Sequence, residues 1–277
     1  MDIPESCKSC RSCLLCPGLD LICVDPAVSF IRFRLVATAT FRFHAELAEF
    51  LARERRGVAF GQACARAATV KHAIESLGVP HTEAGRLMVN GQPATLARIV
   101  REGDAIEVFP HEPAGAATDE TPDFVADAHL GGLARMLRML GFDTLYENAI
   151  ADCEILELAA RERRVILTRD RELLKCSEVM HGCFVHARKP EAQLKEVVAR
   201  YGLERHMRPF TLCLHCNLRL EAVEKSVAME HVPERIALRY AEFVRCRGCE
   251  RIYWRGSHWE RMREMLGASL AMRIPGL

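Results

Sequence analysis

The chain has 277 residues, 49% apolar and 27% charged, with a formal net charge of +1. This is globular composition with room for two or three small domains, and it excludes a polycation, so any nucleic-acid surface must be a local patch. No apolar run approaches the ~20 residues that span a bilayer, and no basic n-region precedes an apolar core at the N-terminus, so neither a membrane partner nor a secretory signal is expected. Of the thirteen cysteines, eight fall in close CxxC-type spacing, which reads as metal binding in a reducing, cytoplasmic setting rather than as a disulfide framework.

Residues 1–35 open on Cys7, Cys10, Cys13 and Cys16, followed by Pro17. The run is similar to the bacterial ferredoxin pattern, but its last gap is one residue short and no fold-forming segment surrounds it. These residues are read as a disordered extension, or as a stretch upstream of a true initiator at Val36, in preference to an iron–sulfur site. Residues 36–111 form a first unit. "ATATFRFHA" alternates as a strand, with Phe41 and Phe43 on one side and Thr40 and Arg42 on the other. "ELAEFLARERRG" is a short helix or an irregular insertion. Thr69 caps a helix over "VKHAIESLG", whose stripe is Val70, Ile74 and Leu77. "LMVNGQP" is a strand entering an Asn-Gly turn, and "GDAIEVFP" is a last strand. Strand, helix, strand, turn, strand suits a β-grasp. Residues 112–122, rich in Pro, Gly, Ala and acid, are a linker.

Residues 123–204 alternate strand and helix, which predicts an α/β unit with a mainly parallel sheet. The strands are "FVA", "TLYE", "VILT" and "CFVHA". The first helix carries Leu130, Leu133, Leu137 and Leu140 on one face, which leaves Arg138 on the solvated side. Asp152 is a good N-cap for the second helix, and Pro190 starts the last. Residues 205–277 hold Cys213-x2-Cys216 and Cys246-x2-Cys249, then a helical tail. They carry 13 Lys/Arg against 8 Asp/Glu. Two such knuckles are the signature of a zinc ribbon, and four thiolates close a structural Zn²⁺ site with no open position.

Two acids stand at predicted strand ends: Asp127 after "FVA" and Asp170 after "VILTR". If those strands are neighbours, the carboxylates converge beyond the carboxyl edge of the sheet, where α/β folds bind ligands. Convergent carboxylates suit Mg²⁺ or Mn²⁺ and a metal-activated water aimed at a phosphodiester. Asp152 and Glu154 are candidate third and fourth acids, although Asp152 could equally serve only as a cap. Arg169 and Arg188 flank the acids as phosphate contacts, with Arg135 and Arg138 weaker candidates. His129 and His186 carry little weight. On the ribbon, Arg245, Arg247, Arg251 and Arg255 interleave with Tyr253, Trp254 and Trp259, a pattern that suits RNA for the arginines and packing for the tryptophans.

"PDFVADAHLGGLARMLRMLGFDT", "ADCEILELAARERRVILTRDRELL" and "CLHCN…VRCRGCERIYWRGSHWERM" together resemble the Mut-seven C-terminal RNase domain family. The resemblance implies a PIN-like three-layer α/β nuclease domain carrying a C-terminal zinc ribbon, with Asp127, Asp152 and Asp170 matching its metal-binding acids. No fourth acid follows the last strand, where "HARKP" is basic. "TVKHAIESLGVPHTEAGRLMVNGQP…GDAIEVFP" resembles the ubiquitin-like, sulfur-carrier-like domain that precedes such RNase domains. Sulfur carriers act through a free Gly-Gly terminus; here the chain runs on, which excludes thiocarboxylate chemistry for this unit in an intact chain and leaves a role in docking RNA or a protein partner. The resemblance thus implies a Mg²⁺- or Mn²⁺-dependent ribonuclease, the alternative being a non-catalytic RNA-binding adaptor with a degraded site.

Overall fold

The computed structural model describes residues 36–112 and 121–270. The first cysteine run and most of the expected linker lie outside the described residues.

The N-terminal unit is a five-stranded sheet in the order β2-β1-β5-β3-β4. Its strands are β1 (Val36–Phe43), β2 (Phe60–Ala65), β3 (Ala84–Val89), β4 (Gln92–Ala94) and β5 (Ala105–Pro110). β1 and β5 run parallel at the centre, as a β-grasp requires. Alternation along β1 buries Phe41 and Phe43 and leaves Thr40 and Arg42 exposed. Helix α1 (Val70–Ser76) crosses the sheet, capped by the Thr69 hydroxyl, which accepts from the His72 amide. Asn90 and Gly91 both take positive φ, 53° and 75°, in the tight β3–β4 turn that the Asn-Gly pair predicts. Strand β2 was not expected. Its sequence, "FGQACA", is poor in β-branched residues, and only pairing with β1 makes it a strand. "ELAEFLARER" is an insertion of two 3₁₀ turns, Ala45–Phe50 and Arg53–Arg55.

The second unit is a parallel four-stranded sheet in the order β7-β6-β8-β9. Its strands are β6 (Phe124–Ala126), β7 (Thr144–Tyr146), β8 (Val165–Thr168) and β9 (Gly182–Phe184). Helices α2 (Gly131–Met139) and α5 (Pro190–Tyr201) cover one face. Helices α3 (Asp152–Glu162) and α4 (Arg171–Lys175) cover the other. Leu133, Leu137, Leu194 and Val197 are fully buried on the first face. Burial of each is worth about 1.5–3 kcal/mol. On the second face, Val125, Ile155, Ile166, Leu174 and Phe184 share one core with Phe50, Ile74 and Val79 of the β-grasp. The two domains are therefore packed as one body rather than strung on a tether.

The C-terminal unit is a three-stranded antiparallel sheet, β10 (Leu220–Val223), β11 (Phe243–Cys246) and β12 (Ile252–Tyr253). Short helices α6 (Lys225–Met229) and α7 (Glu234–Arg239) lie between its first two strands. The tail is helix α8 (Ser257–Leu270), whose Leu266 is buried in the core with α2 and α5. No helix among the described residues is long and apolar enough to cross a membrane.

Candidate active site and cysteine cluster

Strands β6 and β8 are neighbours, so Asp127 and Asp170 emerge at the same carboxyl edge. A single hydroxyl ties them. Thr168, wholly buried at the end of β8, donates to Asp127 Oδ2 at 2.6 Å and accepts from the Asp170 amide at 2.9 Å. Sequence reasoning passed over Thr168, although it stands inside "TRD" two residues before the acid. Asp127 is itself 9% exposed, and its amide bonds Leu167 O at 3.0 Å. Asp170 caps α4, its Oδ1 accepting from the Glu172 amide at 2.8 Å.

Asp152 does not occupy the N-cap of α3; Ala151 does. The capping is done by Glu154, whose Oε2 accepts from the Ala151 amide at 2.9 Å. The sequence offered Asp152 as the cap and both residues as candidate site acids, because an acid at the helix start is an equally good cap by type. Asp152 makes no cap bond and lies within electrostatic reach of the other two acids. Its carboxyl is held above the ordinary value by partial burial, then by the charges of Asp170 and Asp127. Three carboxylates that feel one another are what an oxygen-loving cation needs, although among the described residues only the four cysteines gather as tightly as a complete ligand set.

The flanking cations take different parts. Arg169 donates to Ala187 O at 2.7 Å and so tethers the loop after β9. Glu196 holds the same loop by accepting from the His186 and Ala187 amides at 2.9 and 3.0 Å. Arg188 and Arg135 are exposed, as is His129. His186 meets Glu49 of the β-grasp, Nδ1 to Oε2 at 3.4 Å. Arg138 departs from expectation: it is 5% exposed, not solvated. It donates to Thr144 O at 2.8 Å and to Leu214 O and His215 O at 3.2 and 2.9 Å. The helical period missed this because the first cysteine knuckle packs over the side of α2 that would otherwise face water.

That knuckle is docked further by Asn217, which accepts from the Thr144 amide at 3.0 Å and donates to Asp143 at 2.7 Å. Gly141, at φ 91°, ends α2 where the Arg208 backbone passes too closely for a Cβ. The two knuckles repeat one geometry. Asn217 and Glu250 each follow the second cysteine in left-handed conformation, φ 63° and 60°. Their amides bond Cys213 O at 3.0 Å and Cys246 O at 2.9 Å. The ligating sulfurs of Cys213, Cys216, Cys246 and Cys249 lie within 4.8 Å of one another. Cys213 and Cys249 are 3.7 Å apart, close to the edge of about 3.8 Å of a tetrahedron with metal–sulfur bonds of about 2.3 Å. The residues fit a tetrahedral S₄ metal. Burial would raise the Cys213 thiol, but hydrogen bonds from the Tyr253 hydroxyl (3.1 Å) and from backbone amides outweigh it and bring it down to about 7. Burial and the adjacent Cys249 push Cys216 up to about 12.

Around the cluster, Arg245 pairs with Glu250 at 3.4 Å and Arg247 with Glu221 at 2.5 Å. Arg255 lies over the Trp259 ring, 5.6 Å from its centroid. Arg251 is exposed with no ion-pair or side-chain hydrogen-bond partner among the described residues. Trp259 is buried against Phe210, in the packing role expected of it.

Comparison with known families agrees with this architecture. Residues 36–115 match the Mut7-C ubiquitin model, and residues 122–266 match the Mut7-C RNAse domain model. No curated protein matches the chain. The second match covers more than half of the chain and makes its C-terminal part a nuclease-like, RNA-related domain. On its fold, its domain order and this match, the chain belongs to the Mut7-C RNAse domain family, preceded by a Mut7-C ubiquitin domain.

Proposed function

We propose that the protein is a metal-dependent ribonuclease. The observation that carries this reading is the Asp127–Thr168–Asp170 link at the sheet edge, with Asp152 in electrostatic contact across it. Asp127, Asp152 and Asp170 would hold Mg²⁺ or Mn²⁺. Such an ion, when bound, supplies a nucleophilic water at neutral pH and neutralises charge developing on the phosphodiester. The chain's own part would be to hold the three carboxylates near one another, with Thr168 fixing Asp127 and the Glu172 amide fixing Asp170. Glu154, engaged as a helix cap, is a weaker candidate for a fourth acid. The exposed Arg135 and Arg188 would contact phosphates, and Arg169 would shape the loop that bears Arg188. Zn²⁺ in the cysteine cluster would be structural. Arg251 and Arg255 are the ribbon cations best placed for RNA, whereas Arg245 and Arg247 would first have to leave Glu250 and Glu221.

The test compares cleavage of single-stranded RNA by the zinc-loaded wild type and by the Asp127→Asn, Asp170→Asn double variant, with Mg²⁺ or Mn²⁺ present. Loss of cleavage by at least about a hundredfold, with RNA binding retained, is the expected result. Equal cleavage by both proteins would sink the reading. RNA binding without cleavage by the wild type would leave a non-catalytic adaptor.

A further inference from the structure

We infer that the β-grasp domain positions Asp170 of the acidic site, acting through Arg171 and Phe50. The inference rests on the reading of the three acids as a metal site.

Asp170 is the N-cap of α4 and is bonded to the helix amide of Glu172, so its carboxylate points where α4 points. α4 has five residues, too few to hold a direction alone. Two contacts hold it. Leu173 and Leu174 sink into the core shared with the β-grasp. At the other end Arg171, the residue directly after Asp170, donates to Phe50 O at 3.2 Å. Its guanidinium also lies over the Phe50 ring, 4.9 Å from the centroid, and 5.7 Å from that of Phe184. Phe50 ends the first 3₁₀ turn of the β-grasp insertion. Its ring meets those of Phe184 and His186 edge-on, with centroids 5.0 and 5.4 Å away. The insertion is thus lodged between the loop that starts α4 and the loop that follows β9, at the edge where the acids emerge. The planar guanidinium suits this place because it stacks and donates together, which an ammonium does not do.

The test measures Mn²⁺ affinity by calorimetric titration of the full, zinc-loaded chain, with the unfolding midpoint recorded for each variant. Arg171→Met keeps the apolar stem and removes the donor and the charge. Removing a cation near a cation site should by charge alone tighten Mn²⁺ by about two- to fourfold. Lost positioning predicts the opposite: affinity weakened about fivefold, with the unfolding midpoint little changed. Phe50→Leu, which alters no charge, should also weaken Mn²⁺, and Arg171→Lys should fall between wild type and Arg171→Met. Equal or tighter Mn²⁺ binding by Arg171→Met overturns the inference. If wild type and Asp170→Asn bind Mn²⁺ alike, the acids are not a metal site and the inference falls with that reading. If Asp170→Asn alone loses Mn²⁺, the metal site stands and only the role of the β-grasp is lost.

Discussion

Thr168 and Asp152 differ in what their neighbours in sequence disclose. Thr168 ends a buried strand, and a threonine there usually signals β propensity; only the approach of Asp127 from a neighbouring strand turns its hydroxyl into a link between two acids. Asp152 stands at the start of a helix, where an acid is expected in any case. It is not the cap because the helix starts at Asp152 itself, one residue past the N-cap Ala151. The raised carboxyl of Asp152 has a consequence for stability. In the unfolded chain it titrates near its ordinary 3.8, and in the folded chain above that. Its ionised form is therefore penalised by folding, and the penalty grows as pH rises through the window between the two values. Asp152→Asn should raise the unfolding midpoint of the metal-free protein at pH 7. The gain should be no more than about 0.5 kcal/mol, because the group is exposed and screened, and it should vanish below the unfolded value. With Mn²⁺ present the sign should reverse. Thermal unfolding at several pH values, with and without Mn²⁺, checks both.

At the scale of elements, the cysteine knuckles were the most legible part of the sequence. A CxxC turn closes on its own amides, and its ligands are fixed by local spacing. How the knuckle is attached was not legible. Arg138 reaches its carbonyls from α2, and Asn217 reaches Asp143, across more than seventy residues of sequence. Tyr253 belongs to the same class. Its sequence context is an aromatic among arginines, but its hydroxyl contacts Cys213 Sγ at 3.1 Å and supports the thiolate. Tyr253→Phe should keep the ribbon fold and weaken zinc by about tenfold, measured by competition with a chromophoric chelator. Unchanged affinity would show that the hydroxyl contributes nothing to the site. Strand β2 was missed for the converse reason: its residues have little preference for a strand and acquire one only beside β1.

At the scale of the whole molecule, the boundary between the domains proves to be a core rather than a seam. β9 ends the nuclease sheet, and its open edge would expose the Phe184 amide. Glu83 of the β-grasp covers it, with Oε1 accepting from that amide at 2.8 Å and Oε2 from Arg200 at 2.5 Å. His81 Nε2 reaches Val179 O at 3.0 Å beside it. Glu83 is only 3% exposed, so its loss strands a half-buried guanidinium and a strand amide together. Glu83→Ala should cost about 3–5 kcal/mol and should split the single denaturant transition expected of the wild type into two. Coincident unfolding of both domains in the variant would count against the lock.

The sequence by itself determined the order of the domains, the parallel sheet and the four clustered cysteines, because each is written in local spacing or in the period of a single element; of the acids it offered only candidates. The tertiary structure alone decided that Thr168 joins the acids, that Arg138 is buried, that Glu154 caps in place of Asp152, and that the β-grasp leans on the helix bearing Asp170. These depend on contacts between residues distant in sequence, whose partners are fixed only when apolar faces are buried against one another. Burial gives a lone charge or hydroxyl a specific partner, and no pattern within one element encodes which partner that will be.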